Sequence, residues 1–196
     1  MAGPKSVDET PDDGTHLKLG ALWIPTFPGL DVSADIDQTN GELVSVTLTL
    51  SQSIAAIQVF AAAKEHDTWT ELRYEISNRL EESKVVPKIV NGNYGAEIHA
   101  VMPNYDQSGN VTVQEVVFLG INGDRWFMRV TVSGQAASEP EELNQIYKVL
   151  DELVVDRGDM AIAPGARLPM SFPTDDFIQG KNGVHKFQNE SMHFEI

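Results

Sequence analysis

The amino-acid sequence predicts an α+β domain in which a mainly antiparallel sheet of about six strands is packed by two main α-helices. Three observations predict this class. Short runs of alternating apolar and polar residues are separated by Gly and Asn turns, which favours hairpins. Two longer segments carry apolar residues at helical spacing. An extended Pro-rich segment follows the second of them at the C-terminal end of the domain.

The first strands are predicted before residue 64. Residues 17–24 form a short strand that enters an extended segment, because two prolines follow and exclude a helix. The alternating run of residues 41–51 forms the next strand and is expected to pair with residues 30–36, since turn residues lie between them. Residues 53–63 give a further strand, although their alanines also suit a helix.

Two amphipathic helices are predicted from their start signals. Thr68 and Glu71 form a capping box at the start of the first helix, which continues to about Glu82. Ser138 and Glu141 form a second capping box, after which one apolar face continues towards residue 153. Both helices are expected to pack on the sheet.

Three strand-like runs lie between the helices. Residues 91–95 (NGNYG) separate the first two and are expected to form a hairpin turn rather than a phosphate-binding loop, since no helix follows them directly. Asn122 and Gly123 precede the last run and predict a two-residue hairpin, because both residue types tolerate a positive φ.

The composition divides the chain into three parts. Residues 1–16 are acidic and poor in apolar side chains, which predicts a disordered N-terminal tail. Residues 17–173 are predicted to form a single globular domain. Residues 174–196 have no periodic pattern and are expected to be a flexible or docking C-terminal tail.

The charge balance restricts the class of partner. The chain has 14 Lys and Arg against 29 Asp and Glu, a formal net charge of -15, so we expect no nucleic-acid and no membrane partner. It contains no cysteine, which excludes disulfides and thiolate metal sites. The acidic N-terminus lacks the apolar core of a signal peptide, so we expect a cytoplasmic protein. We also expect that it holds no metal and no cofactor.

Two further motifs resemble functional sites, and a structural interpretation is favoured for both. Glu97 and His99 share one strand face, and an ordinary surface pair is favoured over an acid–base or metal site because no third, orienting group can be named. Arg157, Gly158 and Asp159 spell an integrin-attachment tripeptide. Without an export signal or disulfides, chance or a structural Arg–Asp turn is the favoured explanation.

The run of residues 124–132 (DRWFMRVTV) carries the remaining candidate site. Strand alternation places Trp126 towards the core and Arg125, Phe127 and Arg129 together on the other face. Two guanidiniums beside an aromatic ring suit a carboxylate, a phosphate or an acidic peptide. The alternative is that these arginines pair with carboxylates of a covering helix.

Four segments carry a resemblance to a known family. Residues 19–32, 67–76, 122–134 and 154–173 resemble an actinobacterial family of uncharacterised proteins, the domain of unknown function family 3710. That resemblance implies no established activity and therefore no catalytic residue. The order of elements is also similar, more loosely, to the Mog1 and PsbP-like α/β/α sandwich, whose members mostly work as binding or assembly modules.

These observations lead to one expected function and two alternatives. The expected function is a non-enzymatic protein-binding or assembly module with an unidentified protein partner. The alternatives are a binder of small anions or nucleotide derivatives that uses Arg125 and Arg129, and a hydrolase-type enzyme. The candidate ligand- or partner-binding residues are Arg125, Phe127, Arg129, Arg157 and Asp159.

Overall fold

The computed structural model describes residues 3–10, 12, 14–105, 111–172, 184–186 and 191–194. They form an α+β fold with a mainly antiparallel sheet, which confirms the predicted class. The helices are α1 (Thr68–Glu82), α2 (Gln135–Ser138) and α3 (Pro140–Glu152). The strands are β1 (Lys5–Ser6), β2 (His16–Leu19), β3 (Leu22–Pro25), β4 (Leu30–Ile36), β5 (Leu43–Leu50), β6 (Ser53–Ala61), β7 (Lys88–Gly92), β8 (Gly95–Tyr105), β9 (Val111–Asn122), β10 (Trp126–Gly134), β11 (Val154–Val155), β12 (Val184–Lys186) and β13 (Ser191–Phe194).

The strands form two sheets instead of the one that was predicted. The large sheet has the order β12-β13-β4-β5-β6-β10-β9-β8-β7, and its neighbours are antiparallel. A small sheet has the order β1-β11-β3-β2, in which β1 and β11 are parallel. The predicted single strand at residues 17–24 is wrong, because the chain reverses at Gly20 (φ 67°) and forms the β2–β3 hairpin.

One face of the large sheet holds the main core. Trp126, Met128 and Val130 of β10 are buried there, as the alternation of this strand predicts. They pack together with buried side chains of α3 and of the small sheet. We call this side of the sheet the α3 face.

The opposite face is covered by α1, and we call it the α1 face. Phe127 is buried there, with its ring centroid 6.4 Å from that of Trp69. The indole of Trp69 donates a hydrogen bond to the carbonyl of Ala96 at 2.5 Å, which fixes α1 over β8. Since both faces of β10 are packed, Phe127 lies in a core and not on an open strip beside the arginines.

Both predicted capping boxes are wrong. Asp67, one residue before Thr68, caps α1 by accepting a hydrogen bond from the amide of Thr70 at 3.1 Å. Its negative charge also interacts favourably with the positive N-terminal end of the helix dipole. Ser138 lies in α2, where its hydroxyl donates to the carbonyl of Gln135. Glu139 precedes Pro140 at the start of α3 without a side-chain cap.

The predicted two-residue turn at Asn122 and Gly123 is also wrong. Asn122 is still paired with Phe127, and the amide of Gly123 donates to the carbonyl of Trp126 at 2.9 Å. The chain therefore turns at Asp124 and Arg125, and the positive φ of 59° belongs to Arg125. Gly123 is needed for packing instead, since a Cβ there would lie 2.0 Å from the ring of Trp126. By contrast, the predicted turn at residues 91–95 is confirmed between β7 and β8.

The Pro-rich segment after α3 runs over the domain as the sequence indicates. Its backbone bonds β6 through Gly165, Ala166 and Leu168. The amide of Ser171 then donates to the carbonyl of Leu19 in the small sheet, so one segment joins both sheets.

The structure adds pairings at both ends of the chain. Lys5 and Ser6 pair with Val154 and Val155, and the ammonium of Lys5 lies 2.6 Å from the carboxylate of Glu152. Most of the predicted C-terminal tail lies outside the described residues, although β13 pairs with β4. The domain bounds of 17 and 173 stay a prediction.

Candidate functional site

The predicted pair of arginines does not converge on one site. The side chain of Arg125 projects from the turn after β9 and lines a cleft of about 770 Å³ at the end of the sheet. Asp8, Glu9 and Asp124 line the same cleft together with Lys5 and Arg157, so the cleft carries charges of both signs. Arg129 lines a separate cavity on the α1 face, of about 240 Å³.

Arg129 is half-buried between an amide and a ring. Its guanidinium donates to Oε1 of Gln58 and lies 5.7 Å from the ring centroid of Phe60. Burial lowers its pKa, and the charges of Arg167 and Arg79 lower it further. Within the described part of the chain no carboxylate oxygen lies within 4.0 Å of the Arg129 guanidinium. The expected ion pair with the covering helix is therefore not formed by this residue.

Arg157 connects the C-terminal segment to the β9–β10 turn. Its Nε donates to the carbonyl of Arg125 at 3.1 Å, and its Nη1 donates to that of Met160 at 3.0 Å. Asp159 is exposed, and the carboxylate that bonds the turn is Asp156, which accepts from the amide of Gly158. Arg157 therefore holds the turn through backbone carbonyls, and Asp159 takes no part in these hydrogen bonds.

Glu97 and His99 do share one strand face, but this face is covered at Glu97. Glu97 is only 1% exposed, and both of its carboxylate oxygens lie within 2.8 Å of the hydroxyl of Tyr147 in α3. Nε2 of His99 is buried 3.6 Å from Glu97 Oε2 and forms no hydrogen bond with a described residue. The surface pair expected from the sequence is thus a partly buried cluster with a third group, Tyr147.

Gly92 and Tyr94 shape the surroundings of this cluster. A Cβ at Gly92 would lie 2.0 Å from Oε1 of Glu97, so the carboxylate occupies the space that a side chain would take. The hydroxyl of Tyr94 donates to Asp151 at 2.7 Å, and its ring meets that of Tyr147 edge-on at 5.6 Å. A cleft of about 450 Å³ opens beside the cluster, between the end of β7 and the start of α3.

Burial shifts the pKa of all three titratable groups of the cluster. Burial raises the pKa of the Glu97 carboxyl above 4.5, against the opposing effect of the Tyr147 hydrogen bond. Burial also lowers the pKa of His99, while the charge of Glu115 opposes this. Burial and the Glu97 carboxylate raise the pKa of Tyr147, which therefore stays a donor. The Tyr147 hydroxyl donates to both oxygens of Glu97, while Nε2 of His99 lies 3.6 Å from Oε2, beyond hydrogen-bond distance.

Beyond this cluster the α3 face of the sheet carries exposed apolar side chains. Four valines of β7, β8 and β9 are exposed there, and Val113 is 73% exposed. We call them the valine strip: Val90, Val101, Val111 and Val113. Pairing places them on one face, since Val113 lies opposite Pro103, two residues from Val101. β7 forms the edge of the large sheet.

Sequence reasoning missed Tyr147, Gly92 and the valine strip. A tyrosine on the apolar face of a helix signals a buried acceptor, and this signal could have linked Tyr147 to Glu97. The valine strip gave no signal, because alternation alone does not show which part of a sheet face a helix covers. Gly92 was assigned only to a turn.

The described ranges contain neither a metal-ligand cluster nor a membrane-spanning helix. Within them, no group of three or more His, Asp or Glu side chains is arranged to hold a metal ion. None of the helices described has the length and apolar content needed to cross a membrane.

The chain matches the model of a protein family over most of its length. The family model described as "Protein of unknown function (DUF3710)" matches residues 3–177. Curated proteins and solved structures give no significant match.

Proposed function

From the premise that the chain belongs to the DUF3710 family of proteins of unknown function, we propose that it is a non-enzymatic protein-binding or assembly module of the actinobacterial cytoplasm. The valine strip beside the open edge of β7 carries this proposal. Contiguous apolar side chains on a solvent-facing sheet are costly unless a partner covers them. An unpaired strand edge offers the backbone hydrogen bonds that a partner strand would use.

The charge of the chain supports a protein as the partner. A formal net charge of -15 opposes the approach of phosphate backbones and of anionic lipid surfaces. Exposed Glu115 lies opposite Val101 on the same face, so a partner would gain affinity from apolar contacts with the valines beside this carboxylate. The Glu97 cluster supplies a polar border to that surface.

A capture experiment tests this function. The full chain is used as bait in lysate of its own source organism, next to a Val101→Ser/Val113→Ser variant. Because both valines are exposed, the variant should fold normally and recover a specific partner at least about tenfold less efficiently. Tyr74→Ser, which changes an exposed apolar side chain on α1, should leave recovery unchanged. Equal recovery by wild type and variant, or no specific partner at all, contradicts the proposal.

One observation favours small-anion binding as a second candidate function. Arg129 lines the cavity on the α1 face, and Arg167 and Arg79 lie close enough for their charges to lower the pKa of Arg129. Glu71 and Glu75 also line this cavity, which weakens the positive potential. The candidate site is therefore centred on Arg129 and excludes Arg125, which lies in the other cleft.

Thermal denaturation with nucleotides, phosphosugars and dicarboxylates tests the second candidate. A ligand at about a hundred times its Kd should stabilise the protein by roughly 2.7 kcal/mol. The stabilisation should disappear in Arg129→Gln and persist in Arg125→Gln. A screen without any shift, or a shift that both variants retain, argues against an anion site at Arg129.

A further inference from the structure

The outer edge of β7 presents backbone groups in a defined alternation. Gly92 and Gly95 close the two-residue turn between β7 and β8. In such a hairpin the closing pair exchanges both backbone hydrogen bonds, and every second residue along the strand does the same. Lys88, Val90 and Gly92 therefore bond towards β8. The amide and carbonyl groups of Ile89 and Asn91 point away from the sheet.

This alternation permits β7 to pair with a copy of itself. If a two-fold axis normal to the sheet passes beside Val90, Ile89 of each copy lies opposite Asn91 of the other. These are the residues whose backbone groups point outwards, so four hydrogen bonds can form across the axis. The two Val90 side chains meet on the α3 face, and the two valine strips become one surface.

The same register brings a cation to the buried carboxylate. Lys88 of the partner subunit lies opposite Gly92, in a pair whose Cα atoms are about 4.5 Å apart. The two-fold axis keeps its side chain on the α3 face, on which Glu97 also lies. Gly92 has no side chain to obstruct the approach, and Oε1 of Glu97 lies 2.0 Å from the Cβ position of that glycine.

We propose that β7 is a self-association edge, at which two copies of the chain pair antiparallel about Val90 and Lys88 of each reaches Glu97 of the other. This inference rests on the proposed function and identifies its partner as a second copy. Within one chain, Lys88 forms no ion pair with a described residue and Glu97 has a single described donor, Tyr147. In the dimer, Lys88 of one copy and Glu97 of the other become partners of an ion pair.

The charges at the edge of β7 favour a second copy of this chain over a strand of an unrelated protein as the pairing partner. The net charge of -15 opposes self-association at long range, so a dimer needs local attraction at its interface. The two Lys88–Glu97 contacts provide it, and burial between subunits reduces their screening by salt. A strand of another protein would need its own basic residue at the position opposite Gly92, whereas this chain already carries one.

Sedimentation equilibrium of the full chain over a wide concentration range tests the proposal. Wild type should dimerise reversibly. Ile89→Pro should abolish the dimer, since it removes an outward amide that β8 does not use. Lys88→Glu should weaken it by at least about tenfold, because the change acts twice in a two-fold interface. Lys64→Glu, the same charge change at an exposed residue before α1, should have little effect.

Amide hydrogen exchange gives an independent readout. Dimer formation should increase the protection of the amides of Ile89 and Asn91, while that of Val90 is already protected in the monomer. A wild-type chain that stays monomeric, or a dimer insensitive to both Ile89→Pro and Lys88→Glu, overturns the self-association edge. If the capture experiment still recovers another protein through the valine strip, the proposed function stands without it. If both experiments fail, both proposals fall.

Discussion

Replacing Gly134 by alanine is expected to lower the free energy of unfolding by about 3 to 5 kcal/mol. Gly134 joins β10 to α2 with φ 74° and ψ -151°, a conformation that only glycine adopts without strain. A Cβ there would also lie 2.1 Å from the carbonyl oxygen of Gln52. That oxygen accepts from the amide of Gln135 at 3.0 Å, so relieving the clash would break the start of α2.

Thermal unfolding followed by circular dichroism measures this effect. A loss of this size lowers the Tm by roughly 10 °C in a domain of this length. Gly41→Ala is the matched control, because Gly41 has a similar φ of 75° but no atom within 4 Å of the Cβ position. It should cost only about 1 kcal/mol. Equal losses in the two variants would show that the contact with Gln52 does not matter.

Replacing Tyr147 by phenylalanine is expected to lower the free energy of unfolding by about 2 to 3 kcal/mol at neutral pH. The change removes the donor that bonds Glu97 in the described structure and leaves a buried carboxylate. At acidic pH the loss should shrink to about 1 kcal/mol, because the protonated carboxyl forms an ordinary neutral hydrogen bond. Urea unfolding across this pH range measures both values.

The free energy of unfolding of the wild-type chain should also depend on pH through the ionisation of Glu97. A raised pKa in the folded state means that folding favours the protonated form of Glu97. The stability that protonated Glu97 contributes is fully present below pH 4.5, the ordinary pKa of a Glu carboxyl. It is lost as the pH rises through the pKa of Glu97 in the folded state. Glu97→Gln cannot ionise, so its stability should lack this loss.

The Glu97→Gln background also controls for the Tyr147 substitution. In that background Tyr147→Phe should cost the same at acidic and at neutral pH, since no charge develops. His99 contributes with the opposite sign, because its lowered pKa removes stability as the pH falls, and His99→Gln separates this effect. A pH-independent cost of Tyr147→Phe in the wild-type chain would mean that Glu97 does not ionise in the folded protein.

Local patterns predicted much of the fold correctly. β4, β5 and β6 and the pairing of β4 with β5 follow from alternation and turn residues, and α1 follows from helical spacing. Errors concentrate at the ends of elements. Asp67, Thr68 and Ser138 are all residues that can cap a helix, and the choice among them depends on contacts distant in sequence, such as that between Asp67 and Asn122.

The small sheet could not be predicted from local patterns. β1 and β11 have two residues each and lie more than a hundred residues apart in the chain. Runs so short carry no periodicity, and their pairing depends on α3 bringing Val154 back beside Trp23. The resemblance to the family was recognised correctly from longer segments, and it covers this region too.

The candidate site was predictable only in part. Alternation correctly placed Glu97 and His99 together, and it correctly separated Trp126 from Phe127. It also placed Arg125 in the strand. The left-handed turn removes Arg125 from the alternation and directs it to a different cleft from Arg129. A positive φ at a non-glycine residue has no reliable signature in a single sequence.

The segment that joins both sheets constrains how this family can vary in length. Gly165, Ala166 and Leu168 bond β6 in fixed register, and Ser171 bonds Leu19 a few residues later. A residue inserted or deleted between Leu168 and Ser171 would shift the hydrogen bonds to Leu19 out of register with those to β6. Evolution can therefore lengthen the exposed turn after β4 far more readily than this stretch, in which related chains should keep a constant number of residues.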